Sequence, residues 1–236
     1  MPTGGVLGIV VPTLDEASTI LGCLAAIGRG PRLEVVVSDG GSGDRTLALV
    51  ADHRPDVRVV TGPRGRGGQL NRGAAVAGGA CAFVFVHADC RLPDGWEAAV
   101  RGALARPATA IGCFRLHTEP PQDGADGAAA RWWWRLLDAR GGGLGLPYGD
   151  QALFVRREVF ETVGGFPDIA LMEDLEFVRR CLRRGRLARL PMAVRTTARR
   201  FAGRPVRARV CTATFPLLYR LGVRPSRLAR WYGDVR

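Results

Sequence analysis

Lysine is absent. All 34 basic side chains of the sequence are arginines, which excludes a phosphate loop of the G-x-x-x-x-G-K-[ST] kind, because that loop reaches its phosphates with a lysine. Glycine is missing from the first turn, Pro12-Thr13-Leu14-Asp15-Glu16. A dinucleotide fingerprint needs glycines there to let a pyrophosphate approach, and Gly41-Ser42-Gly43 further on lacks the third one. The six cysteines (Cys23, Cys81, Cys90, Cys113, Cys181, Cys211) form no C-x-x-C pair, and no histidine stands at metal-finger spacing. Free thiols in a reducing cytoplasm are expected, not a zinc module. No apolar run approaches the roughly 18 residues that span a bilayer. The N-terminus shows no charged segment followed by a long apolar one, so no signal peptide is expected. These absences describe a cytoplasmic protein, at most peripheral to the inner face of a membrane.

Acidic residues are scarce where arginines are dense. From Arg179 onward Asp234 is the sole acid, and the formal charge of the chain is +12. Such a balance suits an anionic partner: a nucleotide diphosphate, a phospholipid surface or nucleic acid. With 236 residues, 47% of them hydrophobic, the chain can bury the core of one α/β domain with a small appendage.

Short apolar runs alternate with helical spacing through the first half. Strands are expected at Val6 to Val11, Leu33 to Val37, Val57 to Thr61 and Ala82 to Val86. Helices are expected around Ile20 to Ile27, Leu47 to Val50 and Leu70 to Val76. Either Thr13 or Asp15 can cap the first helix. This alternation implies a doubly wound, mostly parallel sheet. Polar and acidic residues collect where strands one, two and four end, which is the edge where open α/β sheets bind ligands.

The second half is less regular. A strand is expected over Ala110 to His117, loops over Thr118 to Ala130 and Gly141 to Gly149, and an aromatic helix start at Trp132 to Trp134. Ala152 to Val155 is strand-like, Gly164-Gly165-Phe166-Pro167 reads as a turn, and a helix is expected from about Leu171 to Arg184.

The fourth strand stops at His87-Ala88-Asp89. If it stays extended, residues two apart point the same way, so His87 and Asp89 can converge on a metal and a phosphate. The plainer reading has Asp89 capping the next helix and His87 in a loop. On the later helix, Leu171, Leu175, Val178 and Leu182 make one apolar stripe, leaving Glu173, Asp174 and Glu176 off it near the N-terminus. They can be an ordinary acidic first turn, or one of them can serve as a general base. Near the C-terminus, Val206, Val210, Leu217, Leu218 and Leu221 recur at helical spacing among Arg204, Arg207 and Arg209, with a kink expected at Pro216. That segment reads either as a helix packed on the main domain with a solvated arginine face, or as a contact with anionic lipid, with Trp132 to Trp134 as a second contact. Arg199 and Arg200 can instead reach a diphosphate.

Pro12-Thr13-Leu14-Asp15-Glu16, Asp39-Gly40-Gly41-Ser42-Gly43-Asp44, His87-Ala88-Asp89, Gly164-Gly165-Phe166 and Glu173-Asp174 together resemble the GT-A glycosyltransferases of family 2, over roughly Val6 to Gly185. Pro147-Tyr148-Gly149-Asp150-Gln151, Met172-Glu173-Asp174 and Leu228-Ala229-Arg230-Trp231-Tyr232 resemble a bacterial subset labelled arsenosugar-biosynthesis or selenodomain-associated glycosyltransferases. The resemblance implies a GT-A, Rossmann-like α/β fold. Its catalytic domain would cover 1–200, with a nucleotide-sugar half at 1–93, an acceptor half at 94–200 and an arginine-rich helical extension at 201–236. It also implies transfer of a sugar from a nucleoside diphosphate sugar to a small-molecule or lipid-linked acceptor, with inversion.

By the same resemblance Pro12, Thr13, Asp15 and Glu16 line the nucleoside pocket and Asp39 contacts the base. Arg66 and Asn71 lie near the base or diphosphate. Asp89 ligates a divalent cation, magnesium or manganese, and Asp174 is the catalytic base with Glu173 as its understudy. His87 stands where many relatives carry an aspartate. It can ligate manganese, or contact the ribose or a phosphate without touching metal. Two other readings compete. A sugar-nucleotide pyrophosphorylase wants a basic glycine-rich loop after strand one, where this chain has Asp15-Glu16. A non-catalytic basic protein that binds membrane or polyanion is the other. Nucleic acid is disfavoured, because few aromatics accompany the terminal arginines.

Overall fold

The computed structural model describes residues 4–119, 138, 146–197 and 205–232, with side chains left out at 205–209, 212, 213, 220 and 232. The expected alternation is present: β1 (Val6–Thr13), α1 (Ile20–Ile27), β2 (Leu33–Asp39), α2 (Thr46–His53), β3 (Arg58–Thr61), α3 (Arg66–Val76) and β4 (Ala80–Phe85). There follow β5 (Cys90–Arg91), α4 (Trp96–Leu104), β6 (Thr109–Glu119), a 3₁₀ turn (Gly149–Gln151), β7 (Phe154–Arg156), α5 (Arg157–Thr162), α6 (Glu173–Leu182), β8 (Arg186–Thr197), α7 (Pro205–Arg220) and α8 (Pro225–Tyr232).

The eight strands form one sheet in the order β3-β2-β1-β4-β7-β6-β8-β5. β3, β2, β1 and β4 run parallel; β7 is antiparallel to both β4 and β6, and β6 pairs parallel with β8. The sheet is therefore mostly parallel on the nucleotide-like side and mixed on the other. Side chains alternate across it as the pleat requires. Leu7, Ile9 and Val11 join Ala82 and Val84 in one core layer, while Val10, Phe83 and Phe85 join the opposite layer. Both faces of the central strands are covered, which is why those strands read as unbroken apolar runs. At Gly73 an added Cβ would lie 2.3 Å from a methyl of Val10, so glycine is what lets α3 pack directly on β1.

Several local expectations change. Neither Thr13 nor Asp15 caps α1: its N-cap is Thr19, and Asp15 instead accepts a hydrogen bond from the Gly43 amide. Asp89 does not cap the next helix either, since α4 begins at Trp96 with Gly95 as its N-cap and no side-chain cap. β4 ends at Phe85, and residues 87–90 form a turn closed by the Cys90 amide donating to the His87 carbonyl. Strand alternation therefore does not govern His87 and Asp89. Pro216, where a kink is expected, falls inside α7. Residues 120–130, Trp132 to Trp134, Gly141 to Gly145, Arg199 and Arg200, and the side chains of Val206, Arg207 and Arg209 lie outside the described part.

The Gly164-Gly165-Phe166 turn anchors α6. Both glycines have positive φ, 76° and 66°, where a side chain is strained. Phe166 stacks on Phe177 at 4.0 Å between ring centroids and meets Phe85 edge-on at 4.8 Å. Such pairs contribute roughly 0.5–1.5 kcal/mol each beyond area burial, and here they tie α6 to β4.

Candidate active site

The C-terminal end of β1 and the turn after β4 border a cavity of about 450 Å³. On the β1 side its wall is Pro12, Thr13, Leu14 and Glu16. Arg64, Gly65, Arg66 and Gln69 come from the entry to α3, His87 from the turn after β4, and Asp168 to Leu171 with Glu173 from the approach to α6. Of the residues expected at a donor site, Pro12, Thr13, Glu16, Arg66, His87 and Glu173 share this space. Asp15, Asp39, Asn71, Asp89 and Asp174 are not on its wall.

Asp39 is a scaffold. It is 1% exposed, and its carboxylate accepts from the Thr13 hydroxyl (2.9 Å), the Ser42 hydroxyl (2.5 Å) and the Gly41 and Ser42 amides (2.8 Å each). Burial alone would raise its pKa, but the hydrogen bonds from Ser42, Gly41 and Thr13 outweigh it and hold the carboxyl below its ordinary 3.8. In this structure its carboxylate folds the loop over the β1 and β2 ends. A group with a lowered native pKa stabilises the fold above its unfolded pKa, and that contribution is lost as pH falls through the native one. Asp39→Asn is expected to cost about 2–3 kcal/mol at pH 7, the range for buried hydrogen bonds to a charged acceptor. In urea melts its deficit against wild type should shrink below about pH 3.8; a deficit that does not vary with pH would contradict this.

Asn71 clamps the Gly165-Phe166 turn. Its side-chain amide donates to the Phe166 carbonyl and its oxygen accepts from the Phe166 amide, both at 2.8 Å. Gln69, which sequence reasoning missed, donates to the carbonyls of Thr13 (2.8 Å) and Ser38 (3.0 Å) and so joins the ends of β1 and β2. A glutamine on a helix carries no local sign of this.

Glu173 and Asp174 open α6, where the helix dipole favours negative charge. Glu173 is 2% exposed and pairs with Arg66 at 3.3 Å. Burial pushes its carboxyl above the usual range; Arg66 pulls it down and the neighbouring Asp174 charge pushes it up. Asp174 accepts from the Gly149 amide through Oδ2 (2.8 Å) and from the Leu175 amide through Oδ1 (2.7 Å). A carboxylate has about four acceptor sites, so both oxygens keep capacity.

The 3₁₀ turn holds this arrangement together. A Cβ on Gly149 would lie 2.8 Å from His87 Nε2 and 3.4 Å from Asp174 Oδ2, so His87 and Asp174 flank one glycine. On the other side of the turn the Cys90 thiol reaches Asp89 Oδ1 (3.7 Å) and the Asp150 carbonyl (3.6 Å). Burial pushes that thiol well up, and the charges of Asp89 and Asp150 push it further. Gln151, fully buried, pins the turn by donating to the Phe114 carbonyl and accepting from the Tyr148 amide. Asp174 thus reaches the turn directly through the Gly149 amide, and Asp89 neighbours it through the Cys90 thiol. The run Pro147 to Gln151 stands out in the sequence, but nothing there assigns it this part.

All three non-glycine residues with positive φ among the described residues border the site: Asp15 at 55°, Ala152 at 48° and Met172 at 70°. Each such conformation costs on the order of 1–3 kcal/mol, and strain of this kind gathers at functional sites. Gly149→Ala is expected to displace the imidazole or the carboxylate and lower kcat roughly 100-fold, the scale of a 1 Å misplacement. Steady-state kinetics check it, and wild-type kcat in a folded variant would contradict it.

Among the described residues no three His, Cys, Asp or Glu side chains are grouped to hold a metal by themselves. That fits a cation that arrives with a diphosphate and needs one or two protein carboxylates, its remaining shell being phosphate oxygens and water. Asp89 is a buried carboxylate two positions from the cavity-lining His87.

This sheet and cleft define a GT-A-like α/β transferase fold. The mannosyltransferase PcManGT from Pyrobaculum calidifontis, solved with GDP-Man and Mn2+, superposes with a TM-score of 0.65 at 23% identity, covering 96% of this chain and 67% of its own. S. aureus TarS 1-349 in complex with UDP-GlcNAc gives 0.62 at 16%, covering 81% and 58%. GalNAc-T7 with UDP, GalNAc and Mn2+ gives 0.62 at 18%, covering 81% and 44%. The chain spans about 60% of the TarS 1-349 chain. No curated protein matches the sequence significantly. The profile of Glycosyl transferase family 2 matches residues 8–164, and the chain belongs to that family.

Proposed function

We propose that this chain moves a sugar from a nucleoside diphosphate sugar, bound in the 450 Å³ cavity, onto an acceptor hydroxyl with inversion at the anomeric carbon. The observation that carries this reading is that Pro12, Thr13, Glu16, Arg66, His87 and Glu173 line one cavity, with Asp174 next to His87 at Gly149. Residues 1–93 then act as the donor half and 94–200 as the acceptor half.

Asp89 would hold a divalent cation, magnesium or manganese, together with the donor phosphates. When bound, that cation supplies neutralisation of the charge that builds on the departing diphosphate. The relatives solved with Mn2+ and with GDP-Man, UDP or UDP-GlcNAc support donor and metal of this class. Arg66 and the first amides of α3, beginning after Gly65, face the same cleft; a helix N-terminus with a guanidinium is a natural seat for phosphate oxygens. Glu173 holds Arg66 in place. His87, the cavity-lining residue beside Gly149, contacts the ribose or a phosphate. Asp174 takes the proton of the acceptor hydroxyl as its oxygen attacks the face opposite the leaving group, a single displacement that inverts the centre. If Asp174 fails in this role, Glu173 is the nearest carboxylate on the same turn.

The narrower resemblance to arsenosugar-biosynthesis or selenodomain-associated enzymes rests on Pro147 to Gln151, Met172 to Asp174 and Leu228 to Tyr232, and it leaves the acceptor, small-molecule or lipid-linked, open to experiment. The decisive test is calorimetry of UDP-, GDP-, TDP- and ADP-sugars with and without Mn2+. Micromolar to millimolar binding of one of them, with the sugar later transferred or slowly hydrolysed, is expected. Failure of every nucleotide and nucleotide sugar to bind under either metal condition would remove the reading.

A further inference from the structure

The last two helices present a surface that the catalytic reading does not use. Cys211 and Phe215 of α7 face inward with Leu171 and with Leu228 of α8. The other side of α7 carries Val210, Leu217 and Leu221 at 55%, 60% and 72% exposure, with Thr214 also exposed. Positions 210, 214, 217 and 221 are spaced 4, 3 and 4, so they form one stripe along the helix and its end. On α8, Trp231 is 43% exposed and the Arg227 guanidinium lies 5.1 Å over its ring. Arg224, Arg227 and Arg230 are all exposed. The only acid in the sequence beyond Arg179 is Asp234.

We propose that this face docks on an anionic phospholipid surface, the aliphatic stripe and Trp231 entering the headgroup boundary while the arginines meet lipid phosphates. An apolar stripe bordered by cations, with an aromatic at its edge, is the pattern of an interfacial helix. A second copy of this chain is a poor occupant, because two such faces would bring the same arginines together with no acid to answer them. A nucleic acid would satisfy the arginines and leave the leucines in water. No helix among the described residues is long and apolar enough to cross a membrane, so the contact is peripheral. The buried side of this helix pair packs on Leu171, which also lines the cavity. The docking itself does not depend on the transferase reading.

The test is cosedimentation of the full chain with vesicles. At about 0.1 M salt, where screening acts beyond roughly 10 Å, the protein should pellet with phosphatidylglycerol-containing vesicles and stay in solution with pure phosphatidylcholine. Raising the salt fivefold should release it. The exposed-site variants Leu217→Asp with Leu221→Asp, and Arg224→Gln with Arg227→Gln and Arg230→Gln, should each lower partitioning at least tenfold, since one surface arginine is worth roughly fivefold. Their thermal midpoints and donor binding should match wild type. No pelleting of wild type with anionic vesicles would overturn the proposal, as would variants that partition like wild type. So would a wild-type dimer dissolved by the aspartate pair, or single-stranded RNA displacing the vesicles at equal charge. Because donor calorimetry is read on the same proteins without lipid, loss of docking and loss of the transferase reading are separable.

Discussion

Asp174→Asn is expected to bind a nucleoside diphosphate sugar as tightly as wild type and to turn it over about 1,000-fold more slowly. General base catalysis contributes roughly 10²–10⁴, and an amide cannot accept the acceptor's proton. The substitution also disturbs two hydrogen bonds, because Asp174 accepts from both the Gly149 and Leu175 amides and an asparagine has a single oxygen. One bond is lost, at about 1 kcal/mol of stability. The signature is therefore a collapsed kcat with an unchanged donor Kd, checked by steady-state kinetics beside calorimetry. Wild-type kcat in Asp174→Asn would transfer the base role to Glu173, whose burial raises its carboxyl pKa, and Glu173→Gln would then be the inactive variant.

Asp89→Ala is expected to abolish the part of donor binding that depends on Mn2+ and to leave metal-free binding intact. Asp89 is buried beside the Cys90 thiol at the end of β4, and no three-ligand cluster exists among the described residues to take over. Loss of Lewis-acid stabilisation of the leaving group is worth several kcal/mol, hence about 1,000-fold or more in rate. Paired titrations of both proteins, each with Mn2+ and with chelator, decide it. Identical isotherms for the two proteins in all conditions would take Asp89 out of the metal role.

Much of the first half could be read directly from the residue order. β1, β2 and β4 carry their signal locally, as short apolar runs buried on both faces, and the helices between them repeat at the right spacing. β8 escaped that reading. Arg186 to Thr197 contains three arginines and Pro191, and most of its side chains are only half-buried, so no apolar run marks it. Its place comes from the long parallel pairing with β6. α4 and α5 were not read either. The donor-side residues fared unevenly for a related reason. Pro12, Thr13, Glu16, Arg66 and His87 sit where elements end, and ends point to the cleft. Asp39 ends β2 and Asn71 lies midway along α3, and the residue order does not show that Thr13, Gly41, Ser42 and Phe166 hydrogen-bond to them.

The residue order by itself determined the alternating elements, the uneven arginine charge and the types of side chain available for chemistry, because these depend on spacing within a few residues. Tertiary structure alone decided that Gly149 lies between His87 and Asp174, that Glu173 pairs with Arg66 across 107 positions and that the last two helices turn one apolar face inward and leave the other bare. Those facts depend on contacts between segments far apart in the chain. A local pattern can say that a side chain is polar or apolar, but not which distant group will arrive to satisfy it.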